Sequence, residues 1–256
     1  MTDQIRTEVQ GNIIIIRLNR ADKKNALTGD MYNGISDALD QLENDPGLRA
    51  GVITGTEDCF TAGNDLVDFL NSSGIGGESP VGRFLRTLPH LSKPLVAAVN
   101  GPAVGVGTTM LMHCDLVYAA PGAKFQMPFA TLGLCPEAGS SLLFPQLIGY
   151  RKAARLLMLC EMFGAEEAVE MGIANEVVAA EEYQALAITK AEQLAKLPPR
   201  SIRVTKQLLR KGNEEQLRAI MKLEEDYFTE MLQGAEAKEA FSAFLEKRKP
   251  DFSQFS

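Results

Sequence analysis

Two glycine-containing turns are the first places where residue type and spacing suggest chemistry. Cys59-Phe60-Thr61-Ala62-Gly63-Asn64-Asp65-Leu66 follows a strand that ends near Gly55. Asn100-Gly101-Pro102-Ala103-Val104-Gly105-Val106-Gly107-Thr108-Thr109 follows an apolar run and opens a helix. Such turns can aim backbone N–H groups at negative charge. The second superficially resembles a dinucleotide loop, but it lies mid-chain, lacks a first strand–helix–strand unit and has no suitable acidic partner. The nucleotide reading is therefore set aside, and either turn taken alone is more often structural. Downstream, Gly133-Leu134-Cys135-Pro136-Glu137-Ala138-Gly139-Ser140-Ser141 carries one carboxylate, Glu137. On its own that residue reads as a first-turn glutamate interacting with a helix dipole.

Other chemistries find little support. Ser140 and Ser141 resemble nucleophiles only superficially, with no base available to them, and the only histidines, His90 and His113, sit in apolar or boundary contexts. Cys59, Cys114, Cys135 and Cys160 form no close pair of metal or redox type and read as free thiols. With 26 Lys and Arg against 33 Asp and Glu, the net charge of −7 argues against nucleic acid or an anionic membrane as the main partner. No apolar leader or membrane-length run is visible, so the cytoplasm is the expected location.

The elements that must position these residues can be read from periodicity. The length of 256 residues fits one large α/β domain, or one domain with a helical appendage. Ile13 to Ile16 is an uninterrupted β-branched run expected to start paired strands. Thr28 is placed to cap a helix whose apolar face is Met31, Ile35, Ala38, Leu39 and Leu42. Buried strands are expected at 50–54, 95–100 and 116–119, each separated by a loop and a helix, which implies crossovers and a mostly parallel sheet. The Gly- and Ser-rich stretch 71–80 reads as a surface loop. Helical patterns dominate from Tyr150 on, at 151–159, 165–171, 181–197, 199–209, 214–232 and 235–247. Leu217, Ile220, Met221, Phe228, Met231 and Leu232 form an apolar stripe suited to a core or a subunit interface.

Taken together and in order, these motifs resemble the crotonase (enoyl-CoA hydratase/isomerase) superfamily. The resemblance is carried by Asn25-Ala26-Leu27 and by residues 60–66, 100–115 and 133–149, with weaker agreement through the helical tail. It implies the α/β crotonase spiral of ββα turns over residues 1–197, and a C-terminal helical trimerisation region over 198–256. It also implies a homotrimer or a dimer of trimers, and no cofactor or metal beyond the coenzyme A that arrives as part of an acyl-CoA thioester substrate. In the family the two turns supply oxyanion-hole donors, which by position are the amides of Asn64 and Val106. A hydratase of the family uses two glutamates, and here Thr109 and Phe129 stand in their places. A hydroxyl and a phenyl ring cannot do paired-carboxylate chemistry near neutral pH.

Glu137 remains, in a segment that resembles the peroxisomal type of Δ3,Δ2-enoyl-CoA isomerases, where the glutamate of this loop is the catalytic base. Phe129, Leu134 and Phe144 are expected to form an apolar wall that raises its pKa. Ala62, Asp65, Leu66, Gly105, Phe129 and Leu134 are expected to line the substrate site, with Asp65 chiefly holding the first turn. Lys247, in the charge run Lys247-Arg248-Lys249, is the expected contact for coenzyme-A phosphates. The expected activity is conversion of a 3-enoyl-CoA to the 2-trans isomer in fatty acid metabolism, with Glu137 as the sole acid/base. A hydratase, an aryl-CoA ring isomerase and a non-catalytic acyl-CoA-binding module are the alternatives.

Overall fold

A computed structural model describes residues 3–70 and 75–255. The chain opens with β1 (Ile5–Gln10) and β2 (Ile13–Leu18), an antiparallel pair, and continues into α1 (Gly29–Asn44). Thr28 caps α1 as expected, its hydroxyl accepting from the Met31 amide, a bond worth about 1 kcal/mol. Next come β3 (Ala50–Thr54), the short α2 (Leu66–Leu70), α3 (Pro80–His90) and β4 (Leu95–Val99). The expected loop at 71–80 lies outside the described residues at 71–74. It ends earlier than expected, because Ser79 caps α3 and Pro80 is already its first residue, where a missing N–H does no harm.

The following stretch alternates short strands and turns: β5 (Pro102–Val104), α4 (Val106–Thr109), a 3-10 turn at Met110–His113, β6 (Leu116–Ala119) and β7 (Lys124–Gln126). Then come α5 (Ser140–Ile148), α6 (Tyr150–Met158), β8 (Phe163–Gly164), α7 (Ala165–Glu170) and β9 (Glu176–Val177). The chain finishes with α8 (Tyr183–Lys196), α9 (Pro199–Lys211), α10 (Glu214–Leu232) and α11 (Ala235–Leu245).

The main sheet runs β1-β2-β3-β4-β6-β9, and every pair after the first is parallel. A second layer joins β5, β7 and β8. Single bridges Leu27 to Asn64 and Thr61 to Ala103 extend that layer through the loops after β2 and β3. Each turn of chain thus gives one strand to the sheet and one short extended segment to the second layer before its helix, which is the expected ββα spiral.

Both sheet faces are covered, which explains the unbroken isoleucine run. Ile14 and Ile16 enter the main core, while Ile13 and Ile15 pack with Val52, Val96 and Tyr118 under Ala187, Ala191 and Ala195 of α8. Burial of each such side chain contributes about 1.5–3 kcal/mol. Residues beyond 198 share the main core: Phe228 and Leu232 of α10 and Ala237 and Phe241 of α11 belong to it. The four cysteines are free thiols, and among the described residues no helix is long and apolar enough to cross a membrane.

Candidate active site

The wall that holds the expected oxyanion donors, Asn64 and Val106, is built from backbone. Gly63 takes φ +90°, and a Cβ there would stand 2.9 Å from the Val104 carbonyl oxygen, so only glycine lets the two turns approach this closely. Thr61 accepts and donates across the same junction, with Thr61 N–Pro102 O at 2.9 Å and Val104 N–Thr61 O at 3.0 Å. Gly63 O and Asp65 N are both taken up by Leu27. The amide between them, that of Asn64, donates to no acceptor among the described residues. Val106 is the first residue of α4, so its amide lacks an intrahelical partner and is likewise unused. Both residues line one cavity of about 580 Å³. An oxygen acquiring negative charge in that cavity would have two fixed donors available.

The remaining residues expected at the substrate site line the same cavity: Ala62, Asp65, Leu66, Gly105, Phe129 and Leu134. Asp65 holds its turn, accepting from Val67 and Asp68 amides and pairing with Arg20 at 2.8 Å. The Asn64 side-chain oxygen accepts a hydrogen bond from the Tyr32 hydroxyl of α1, which ties that side chain to α1. Lys247 is exposed and does not line this cavity, whereas Lys23 does.

Glu137 lies in a neighbouring cavity of about 420 Å³. Tyr32 lies between the two, bonding Asn64 of the first cavity and standing close enough to Glu137 of the second to feel its charge. Glu137 is not a first-turn residue of α5, which begins at Ser140. It precedes a left-handed turn at Ala138 and Gly139 that sends its side chain inward. It is 1% exposed, and neither carboxyl oxygen has a partner. Burial pushes the Glu137 carboxyl up to about 8, with the nearby Glu224 charge adding to the effect. Apolar residues on this cavity include Leu85, Met112, Leu143, Leu217 and Met221. Phe129 and Leu134 face the other cavity and Phe144 is sealed in the core, so the expected wall is differently composed. The one other orphaned buried side-chain atom among the described residues is the Thr109 hydroxyl, at the end of α4.

Three residues outside the expected set prove central to the geometry. Glu224 is 5% exposed and accepts from Gly139 N at 2.6 Å, Ser141 N at 3.0 Å and Ser141 Oγ at 2.6 Å. Ser141 therefore does have a carboxylate in reach, contrary to expectation, because α10 folds back over a separation of 83 residues. His113 is not remote from the motifs either: its Nε2 bonds the Ala138 carbonyl at 2.7 Å, and burial holds the imidazole down to about 4. Since a carbonyl only accepts, that nitrogen carries the proton. Tyr32 links the two walls, bonding Asn64 while its hydroxyl is held well above the ordinary range by burial and by Glu137. A signal for Glu224 did exist, since it occupies the same helical face as Leu217, Met221 and Phe228, a charge within an apolar stripe.

Comparison with known proteins gives the family. Residues 8–255 match the family model for enoyl-CoA hydratase/isomerase. The enoyl-CoA delta isomerase 2 of Rattus norvegicus is 40% identical over 82% of this chain, which spans 55% of that protein's length. The 1,2-epoxyphenylacetyl-CoA isomerase of Escherichia coli K12 is 34% identical over 99% of both chains. The crystal structure of an enoyl-CoA hydratase/isomerase from Pseudoalteromonas atlantica T6c superposes with a TM-score of 0.93 at 41% identity, covering 98% of this chain and all of that one. The chain belongs to the enoyl-CoA hydratase/isomerase family, the crotonase superfamily.

Proposed function

We propose that the protein is an enoyl-CoA isomerase that moves a 3-enoyl-CoA double bond to the 2-trans position. The observation that carries this reading is Glu137, a buried carboxylate with both oxygens unengaged beside a cavity lined by two unengaged amides. The thioester carbonyl accepts from the Asn64 and Val106 amides. Glu137 removes a proton from the α carbon, the electrons pass to the carbonyl oxygen, and the same carboxyl returns the proton at the γ carbon. One group serves both positions because the fixed amides hold the dienolate still between the two transfers. Thr109 and Phe129, standing where hydratase carboxylates would be, speak for isomerisation over hydration.

The full-length relationship to an epoxyphenylacetyl-CoA isomerase supports a second substrate reading, a ring-bearing acyl-CoA handled by the same carboxyl. Assembly as a homotrimer or a dimer of trimers belongs to the same proposal, supported by exposed Met158, Leu159, Met162, Leu208 and Leu209. The test is Glu137→Gln, which keeps size but cannot accept a proton. Turnover is expected to fall by roughly two to four orders of magnitude with acyl-CoA binding retained. A variant within a few-fold of wild type would remove Glu137 from the mechanism.

A further inference from the structure

We propose that Glu224 is a positioning residue for Glu137, clasping from α10 the turn that aims it; this rests on reading Glu137 as the acid/base. The turn needs holding. Ala138 has φ +59° without being glycine, and Gly139 follows at φ +72°, so the segment stores backbone strain at its first residue. A Cβ at Gly139 would come within 2.2 Å of Leu217 Cδ1, which shows how closely α10 is packed against the turn.

The peptide unit between Ala138 and Gly139, one residue beyond Glu137, is gripped at both ends. Its carbonyl, that of Ala138, takes the His113 bond, and its amide, that of Gly139, donates to Glu224. Ser141 adds its amide and hydroxyl to the same carboxylate. No cation pairs with Glu224 among the described residues. A buried, unpaired carboxylate is expensive, and the neighbouring stripe positions are apolar. Three donors converging from one turn are what it gains in that place.

The charge has a second consequence, because Glu224 is the one ionisable group besides burial itself that raises Glu137. Facing Glu137 from other elements are Tyr32 of α1, Cys135 of its own loop, and the neutral His113. The charged residues on the same cavity are Arg86 of α3, Arg210 of α9, and Glu214, Arg218, Lys222 and Glu225 of α10, and His90 of α3 lines it too. Those cations are engaged elsewhere: Arg86 with the Gly77 carbonyl, Arg210 with the His113 carbonyl and Asp115, Arg218 with Glu214, and Lys222 with Asp226 and Glu225.

The experiment compares pH–rate profiles of wild type, Glu137→Gln, Glu224→Gln and Ser141→Ala. Glu224→Gln can no longer accept from all three donors and carries no charge. Its kcat is expected to fall roughly 10- to 100-fold with KM within about 3-fold. The limb on which activity rises with pH should move to lower pH. Unchanged kcat overturns the proposal, and so does a lowered kcat with the limb in place, the result of a merely structural staple. Should Glu224→Gln fail to fold by circular dichroism, Ser141→Ala decides: a several-fold loss of kcat at constant KM supports the clasp, and unchanged kcat overturns it.

An infrared titration of the Glu137 carboxyl, taken as wild type minus Glu137→Gln, needs no turnover and separates the two readings. The Glu137 band should titrate at lower pH once Glu224 is Gln, and a band that stays put overturns the role of Glu224. Full activity in Glu137→Gln would instead remove the reading of Glu137.

Discussion

On the side proposed to bind the oxyanion the polar groups are backbone amides, held by turns whose hydrogen bonds run between the strands they connect. On the acid–base side the polar group is a side chain, held by residues that arrive from 25 and 85 positions away. A pair of amides carries only partial charge, so it can be left unengaged in a cavity at moderate desolvation cost. A carboxylate in the same surroundings would neutralise itself, and Glu137 does shift in that direction. Stabilising charge can be built locally from glycine and a helix start. Aiming a proton acceptor takes tertiary contacts on both faces of its turn.

The largest effect expected from this contrast is at Val106. Val106→Pro deletes one amide donor at the first position of α4, where proline is geometrically tolerated. Turnover should fall by roughly 100-fold or more with the circular dichroism spectrum unchanged. A folded variant with near-normal activity would mean that the amide is not used.

A smaller effect concerns stability. With its folded carboxyl raised to about 8 from an ordinary 4.5, Glu137 keeps a proton that the unfolded chain releases. Its contribution is therefore intact below the unfolded value and is lost as pH rises through about 8. Glu137→Gln stays neutral throughout, so its melting temperature should gain on wild type between about pH 6 and about pH 9, by about 3 °C or more. A gap that does not widen would show that the carboxyl ionises normally. Asn64→Ala should be the mildest, a few-fold in turnover, since the side-chain oxygen is taken by Tyr32 and the substitution leaves the backbone amide in place. A loss as large as that of Val106→Pro would move the chemistry to the side chain.

The same contrast explains what was legible in the sequence. Thr28, the isoleucine run and the bounds of α10 at 214–232 could be read because caps and periodicity are local signals. The two glycine turns could be read for the same reason. The strands β5, β7, β8 and β9 have only two or three residues, too few to show a period, so the layer formed by β5, β7 and β8 is legible only through the family resemblance. Glu224, His113 and Tyr32 acquire their roles from contacts that no local pattern records. The apolar stripe on α10 was recognised, yet the glutamate inside it was passed over.

Both walls bear on a single question, whether one carboxyl, whose neighbour Glu224 is taken up by the donors of its own turn, moves a proton rather than adding water. The same enzyme preparation given a 3-enoyl-CoA and a 2-enoyl-CoA, with both reactions followed spectrophotometrically, answers it. Isomerisation is expected to exceed hydration by at least about 100-fold, because Thr109 and Phe129 offer no second carboxylate. Hydration at a comparable rate would contradict it and require another acid/base group in the site.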